Sequence, residues 1–502
     1  MNQRIRLLSP LALFGLAACK GGSVTSTSGA TSAGFAIKGP LENALVFVDA
    51  NNNGKLDEGE TSARTGADGS YSLANPNGNT IVVITDEQTV DTSSGAVLAG
   101  ITMKASASSG VITPFTALDT ENTGLDTSIL ATKLGLEGVD LLTFNPYDDD
   151  VGAVDALKGE GVSQQLTATL QIVASALNGA NTDADYAATD AFTDALQSMA
   201  EAAIAFEGDT IDFSDNSADG FVAQFVNSLE GLGANAKATL ITKITDLGGA
   251  IGAEIDTAVQ AAVEAGDTAD KDTLLNNNDA LKSAFSAASV VAEKVEQAVT
   301  DAAGDDDAVA TLINDSVGEV AEIVANKAPV ILGLAAKGSE LSVDENTAST
   351  NDGDLFVGSI EVSDEDTLVS EAIAGGDEPL AAVPFSPLTY TLVGDNKELF
   401  VIEGTSVYLN SEAEVNFEEL AVDGVATLKV GVKVTDSGGK SATKFFDVAI
   451  KNVNEDTTGE VTVDGDLGSG STLTATIDAA DEDNTIAGGD VRFQNCIVPV
   501  ET

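Results

Sequence analysis

Short apolar runs separated by turn signals fill the chain between residues 34 and 90. Ala44–Val48 is rich in branched apolar residues, and residues 81–84 read Ile-Val-Val-Ile. Runs of this length and composition predict β-strands. Asp68-Gly69 stands directly before an alternating run and predicts a tight turn. The pattern therefore predicts a small β-sandwich over residues 34–90.

A helical period replaces this pattern between residues 155 and 327, after a connecting segment at 91–154. Apolar residues step by three or four positions from Val162 to Leu177 in an alanine-rich context, which indicates a buried helix face. Further stripes with a helical period are Phe192, Leu196 and Met199; Ile244, Ile251, Ile255 and Val259; and Leu281, Phe285, Val295 and Val299. The stripes predict an antiparallel helical bundle with much alanine in its interior.

Residues 328–456 return to short strands with turns about every ten residues, which predicts an all-β sandwich of about seven strands. Residues 457–502 begin as a further Ig-like repeat, but they are too few to close a sandwich. This leaves two readings: the chain is a fragment, or the last repeat completes itself on a partner. The predicted fold class is a multidomain protein in which all-β sandwich modules of cadherin or Ig-like type flank an alanine-rich α-helical domain.

The net charge of the chain limits the classes of molecule that it is expected to bind. The 502 residues contain 23 Lys and Arg against 80 Asp and Glu, a formal net charge of −57. A field of this sign repels nucleic-acid phosphates and favours divalent cations, so no nucleic-acid partner is expected. Hydrophobic residues make up 43% of the chain, which is typical of folded protein rather than of an acidic disordered tail.

The residue types that the sequence lacks limit the catalytic and metal-binding sites that it can form. Histidine and tryptophan are absent, and the only cysteines are Cys19 and Cys496. Ser-His-Asp and Cys-His nucleophiles and His or Cys zinc sites are therefore excluded. A carboxylate-based glycoside hydrolase remains a less favoured alternative, because the chain has few aromatic residues to hold a sugar and no acid pair stands out. We expect a protein that is not an enzyme.

The N-terminus predicts export. Arg4 and Arg6 precede an apolar run from Leu7 to Ala18, which is too short to span a bilayer and is typical of a signal peptide covering residues 1–18. The ending Leu-Ala-Ala-Cys resembles the lipobox of bacterial lipoproteins, which implies that Cys19 is acylated and anchors the chain to a membrane. The resemblance implies the outer membrane or the cell surface as the location. Residues 19–33, rich in Gly, Ser and Thr, predict a flexible tether.

The twelve residues from Asp49, "DANNNGKLDEGE", have the spacing of calcium ligands in an EF-hand loop. Glycine stands at loop position 6, and a preceding strand replaces the usual helix. The predicted oxygen ligands are Asp49, Asn51, Asn53, the Lys55 carbonyl, Asp57 and Glu60. Leu56 is expected to pin the loop to the core. The plainer alternative is a turn rich in Asn and Gly.

Together with this loop, residues 34–90 resemble the transthyretin-like and Cna-B-like modules of bacterial surface proteins, some of which bind calcium through a similar loop. Residues 328–456 resemble a cadherin repeat in the order of "LSVDEN" (341–346), "VSDEDT" (362–367), "VNFEE" (415–419) and "NVNED" (452–456). The cadherin resemblance implies calcium ligands at Glu345, Asp364, Asp366, Glu418, Asp436, Asn454 and Asp456.

The two predicted ends of this repeat differ. Glu345, Glu418, Asn454 and Asp456 form the better candidate site, at the junction with the following repeat. At the preceding junction Lys327 stands where the family places an acid. The alternative is that all these acids are solvated loop carboxylates in a very acidic protein.

These observations predict a calcium-binding, lipid-anchored surface protein that acts in cell adhesion or surface organisation through homophilic or heterophilic protein contacts. A periplasmic scaffold or ligand-binding lipoprotein is the alternative.

Overall fold

The computed structural model describes residues 31–75, 77–96, 99–121, 124–183, 185–276, 278–336, 341–345, 354–364, 388–422, 424–453, 461–464 and 474–477. Within these ranges, β-sheets lie towards both ends of the chain and helices lie between them, which confirms the predicted fold class. The predicted signal peptide, most of the tether and Cys19 lie outside the described residues. No helix in the described part of the chain is long and apolar enough to cross a membrane.

The first β region consists of two small sheets and a short ladder. One sheet has the order β5-β1-β9, the other β4-β3-β6-β8, and β2 pairs with β7. The strands are β1 (Thr31–Ala36), β2 (Leu41–Glu42), β3 (Leu45–Asp49), β4 (Ser62–Arg64), β5 (Ser70–Ala74), β6 (Thr80–Ile84), β7 (Val90–Asp91), β8 (Thr102–Ala105) and β9 (Val111–Ile112). The sheets thus begin inside the range predicted as tether and extend past residue 90.

Local sequence explains these strands. Val46 and Val48 on β3 and Ile81 and Val83 on β6 are buried in the core. The predicted turn before β5 is present, and Gly69 adopts a φ of 77°, a conformation that glycine reaches without a steric cost. The strand and turn predictions for this region are therefore confirmed.

Ten helices among the described residues follow or overlap the connecting segment. They are α1 (Pro114–Glu121), α2 (Thr127–Lys133), α3 (Ala153–Ala180), α4 (Ala188–Ala205), α5 (Phe221–Ser228), α6 (Ala234–Ala265), α7 (Lys271–Asn276), α8 (Asp279–Asp301), α9 (Asp306–Val317) and α10 (Val320–Ala325). The four apolar stripes fall on α3, α4, α6 and α8, as the helical period predicts.

Helix α3 lies at the centre of the helical region, packed against α4, α6 and α8. Most of its residues are buried, and Gly161 faces Ile255 of α6 so closely that a Cβ atom would lie 2.6 Å from the isoleucine side chain. The same hydrophobic core continues from α3 into the first β region. The stretches 34–90, 91–154 and 155–327, predicted as separate ranges, therefore share one core.

The second β region is a sandwich with its own core. Its sheets have the orders β10-β12-β15-β14 and β11-β17-β16-β13. The elements are β10 (Val330–Ala336), β11 (Ser342–Asp344), β12 (Leu355–Ser363), β13 (Thr389–Val393), β14 (Phe400–Glu403), β15 (Ser406–Leu409), a short helix α11 (Phe417–Leu420), β16 (Ala426–Thr435) and β17 (Ser441–Lys451). With the first strand divided between the sheets, this is the two-sheet arrangement of an Ig-like sandwich.

Strand β17 defines the two ends of the sandwich. It begins at Ser441 at the upstream end, beside the helices, and finishes at Lys451 at the downstream end. Beyond it, β18 (Val461–Asp464) and β19 (Thr474–Ile477) form a two-stranded antiparallel ladder within the predicted last repeat.

Candidate functional site

The candidate calcium loop begins where β3 ends. Asp49 is the last residue of the strand, and its side chain is 1% exposed. Its Oδ1 accepts a hydrogen bond from the Asn53 amide at 3.1 Å, and its Oδ2 accepts one from the Gly54 amide at 2.8 Å. Gly54 adopts a φ of 73°, so the glycine permits the sharp turn around the aspartate. The loop is therefore folded about Asp49.

Two asparagines continue this pattern. Asn51 Oδ1 accepts from the Asn53 amide at 3.1 Å, and Asn53 Oδ1 accepts from the Lys55 amide at 2.8 Å. These are Asx turns, in which a side-chain oxygen replaces a backbone acceptor. A carbonyl oxygen has two lone pairs, so each of these amide oxygens keeps one for a further partner.

Asp57 and Glu60 close the loop. Asp57 Oδ2 accepts from the side-chain amides of Asn51 and Asn53, at 2.7 Å each. The two carboxylate oxygens of Glu60 accept from the Ala50 and Asp57 amides at 2.8 and 2.9 Å. Hydrogen bonds therefore link the five predicted side-chain ligands into one loop.

The chemistry of this set fits calcium, which accepts carboxylate, amide and backbone oxygens in flexible geometry. The positions of the acidic side chains fit a metal site less well than their chemistry does. Across the described residues, no three or more Asp, Glu, His or Cys side chains form a group that could hold a metal ion. The side-chain nitrogens of Asn51 and Asn53 face Asp57, so a calcium ion that binds Asp57 would have to replace these two hydrogen bonds.

Leu56 does not pin the loop to the core, so that prediction is wrong. The side chain is 40% exposed. The neighbouring Lys55 reaches towards α4 instead, with Nζ 3.5 Å from Asp190 Oδ1.

The downstream end of the sandwich brings together two of the predicted acids. Glu345 follows β11 and is 1% exposed. Its Oε2 accepts from the Phe417 amide at 2.7 Å, at the start of α11, and its Oε1 accepts from the Val453 amide at 2.6 Å. Glu418 Oε1 accepts from the Asn452 side chain. Asn454 and Asp456, the other predicted ligands at this end, lie outside the described residues.

The upstream end holds Asp364 and Asp436, each 8% exposed, whereas Asp366 lies outside the described residues. Asp436 Oδ1 accepts from the Lys440 amide at 3.0 Å. Its Oδ2 accepts from the Asn326 side chain, also at 3.0 Å. The carboxylate thus joins the turn between β16 and β17 to the residue that follows α10.

Lys440, which sequence reasoning missed, is the most buried charge at this end, at 1% exposure. Its ammonium lies 2.9 Å from the Ser283 carbonyl, 2.6 Å from the Ser283 hydroxyl and 3.3 Å from the Val324 carbonyl, and it also donates to the Asn326 carbonyl. Carbonyls at the end of a helix lack partners within the helix, and a cation satisfies them. Lys440 therefore caps α10 from the sandwich.

The pair of glycines before Lys440 was the available signal. A Cβ atom on Gly438 would lie 2.6 Å from the Asn326 side chain, and Gly439 adopts a φ of 95°. The turn therefore needs glycine for close approach at one position and for backbone conformation at the next.

A second buried charge cluster lies between the first β region and α3. Lys38 Nζ is 2.7 Å from Asp91 Oδ2, and both side chains are almost fully buried. Gln164 donates to Glu160 Oε1 at 2.7 Å. Burial and the neighbouring Asp91 carboxylate raise the pKa of Glu160 to about 8. Burial opposes ionisation of Asp91 as well, but the Lys38 ammonium lowers the pKa of that carboxyl. Glu160 is thus neutral beside an ionised Asp91.

No protein-family model matches the chain, and no curated protein matches it. A solved structure of human protocadherin-24 EC1-2 is similar to part of the chain, with 16% identity and a TM-score of 0.18. The match covers 30% of this chain and 61% of that one, so the chain spans less than two thirds of that structure.

Proposed function

We propose that this protein is an exported, lipid-anchored, calcium-binding surface protein that acts in adhesion or surface organisation and not as an enzyme. The observation that carries the proposal is the loop from Asp49 to Glu60. Its side-chain oxygens recur at calcium-ligand positions, and Asx turns fold three of them into a compact loop. The export pattern that ends at Cys19 supports the location.

Calcium would be held by Asp49, Asn51, Asn53, Asp57 and Glu60, with the Lys55 carbonyl. The ion supplies positive charge to acids that otherwise repel one another, so it stabilises the folded loop by about RT ln(1 + [Ca]/Kd). At the downstream end, Glu345 and Glu418 are the described residues that would hold a second ion with the linker. The adhesion role rests on the resemblance of residues 34–90 and 328–456 to modules of surface proteins.

The buried acids favour a non-catalytic role. Glu160 has the pKa that a general acid needs, but the side chain is 0% exposed. A carboxyl that is fully buried in this charge cluster offers no access to a sugar substrate. A periplasmic scaffold or ligand-binding lipoprotein is the second candidate, and protease treatment of intact cells distinguishes the two, because only a surface protein is cut.

Calorimetric titration of the mature chain with calcium tests the loop. We expect saturable binding that Glu60→Gln weakens at least tenfold, because the carboxylate that closes the loop loses its charge. Glu58→Gln is the matched control, since Glu58 lies in the same loop at a position that does not provide a ligand. Equal affinities of the two variants would reject the loop as the site.

A separate experiment tests the anchor. Cys19→Ser should move the protein from the membrane fraction to the soluble fraction, or block its processing, because acyl chains contribute about 0.8 kcal/mol per buried methylene. Unchanged partition would reject lipidation and leave the calcium proposal standing.

A further inference from the structure

A cavity of about 320 Å³ lies where the helices meet the upstream end of the sandwich. Five stretches of the chain line it: Ser94 and Gly95 after β7, the start of α8, residues 327–331 in the linker and β10, Ser363 at the end of β12, and the start of β17. Small-molecule sites commonly lie at such interfaces and measure about 300–1,000 Å³. Neither the loop nor the predicted calcium acids line this cavity.

The charged residues that line the cavity are mainly basic, whereas the protein as a whole is strongly acidic. Lys282, Lys327 and Lys444 line the cavity, against Asp279 alone among the acids. The whole chain has only 23 Lys and Arg against 80 acids, so three lysines around one small cavity form a local exception. The residues that line the cavity therefore carry a net positive charge.

Polar donors complete the lining. Lys282 is half-buried at the start of α8, and within the described ranges its ammonium has no ion-pair or hydrogen-bond partner. Lys444 Nζ lies 3.1 Å from the Leu332 carbonyl and 3.5 Å from the Ile331 carbonyl, which leaves one of its three N–H donors for a ligand. The Thr443 hydroxyl is buried without a hydrogen-bond partner among the described residues. Ser286 and Ser441 add two further hydroxyls.

We propose that this cavity binds a small organic oxyanion, a carboxylate or phosphate ester about the size of a monosaccharide. Lysine ammonium groups and hydroxyls are the donors that recognise such an anion. Because the lining comes from both sides of the joint, the bound anion braces the sandwich against the helices. This site is independent of the proposed calcium function.

Calorimetry and thermal unfolding of the mature chain, in buffer stripped of divalent metals, test the proposal. The probes are galacturonate for a carboxylate source, glucose 6-phosphate for a phosphate source, and galactose as the neutral analogue. We expect at least one anion to bind saturably below millimolar concentration and to raise the melting temperature, with no effect of galactose. The anion that binds identifies the source.

The double variant Lys282→Gln/Lys444→Gln should weaken binding at least tenfold. Lys158→Gln/Lys429→Gln is the charge-matched control, because both lysines are exposed and neither lines the cavity. If the double variant fails to fold, Thr443→Val provides the second test and should weaken binding several-fold. The proposal is overturned if neither anion binds saturably at concentrations up to about 10 mM, an order-of-magnitude ceiling for a specific site. It is also overturned if these variants bind as well as the control.

Discussion

The most deeply buried charges at the two ends of the sandwich are of opposite sign. At the upstream end the Lys440 ammonium is surrounded by backbone carbonyls and one hydroxyl. At the downstream end the Glu345 carboxylate accepts from two backbone amides. Each side chain is 1% exposed, so each depends on its backbone partners to offset the cost of leaving water.

The backbone at each end accounts for the sign. The upstream neighbour is the C-terminal end of α10, where unpaired carbonyls create negative potential. The downstream neighbours are the first amide of α11 and an amide of the linker, which are donors. Because Lys440 already supplies a cation at the upstream joint, we expect calcium to act at the downstream end and in the loop from Asp49 to Glu60.

The largest expected effect comes from removing the upstream cation. Lys440→Met should lower the free energy of unfolding by about 3–5 kcal/mol, because several buried carbonyls lose their donor together. Urea denaturation of the mature chain measures this, with Lys429→Met as the exposed control. A loss no greater than that of the control would show that the joint does not depend on the ammonium.

Glu160 is a third buried charge that can be compared with Lys440 and Glu345. Its neighbour is the Asp91 carboxylate, whereas Glu345 has backbone amides beside it. Its pKa of about 8 lies above the unfolded value of 4.5, so the folded state keeps a proton that the unfolded state releases. Stability should therefore fall as the pH rises from 4.5 to 8. Glu160→Gln should remove that fall and raise stability at pH 8 by on the order of 2–3 kcal/mol.

Denaturant unfolding at several pH values, with the wild type and Glu160→Gln side by side, isolates this group from the other acids. Glu201→Gln is the control, because Glu201 is an exposed acid on α4. Parallel pH curves for the wild type and Glu160→Gln would contradict the assignment.

The variant Glu345→Gln tests how much the buried carboxylate stabilises the downstream end of the sandwich. Glutamine keeps one acceptor oxygen but presents an amide donor to the second backbone N–H, so we expect a loss of about 1–3 kcal/mol. Thermal and urea unfolding measure it, and the exposed Glu419→Gln at the same end is the matched control. Two variants of equal stability would mean that the buried carboxylate does not organise this end.

The smallest effect should follow Asn326→Ala, which removes one hydrogen bond to Asp436 at the upstream joint. We expect a loss of about 1 kcal/mol, since the bond is only partly buried. The loss should be the same with and without calcium. A calcium-dependent loss would indicate an ion at the upstream joint and would remove the contrast between the two ends.

Local patterns along the chain were sufficient for the elements and for the loop. The helical stripes fall on α3, α4, α6 and α8, and the oxygen ligands predicted by spacing lie in one folded loop, because turns and helix faces depend on residues a few positions apart. The prediction that Leu56 is buried was wrong, because the burial of this side chain depends on which other segments of the chain pack against the loop.

The missed residues share one property: their partners are distant in sequence. Lys440 contacts Ser283, 157 positions away, and Ser93 at the first buried cluster faces Glu160, 67 positions away. The sequence signal near Glu160 is the pair of glycines that flank it: a Cβ atom would lie 2.1 Å from the Phe144 side chain at Gly159 and 2.6 Å from the Ile255 side chain at Gly161.

The sequence by itself determined the periods of the strands and helices, the positions of the loop oxygens and the overall excess of acid, because each is a property of local spacing or of composition. The tertiary structure decided which charges are buried and what they meet. It placed Lys440 on helix carbonyls, Glu345 on backbone amides and Glu160 beside Asp91. The physical reason is that solvation and the field at a charge depend on every segment packed around it, and those segments come from distant parts of the chain.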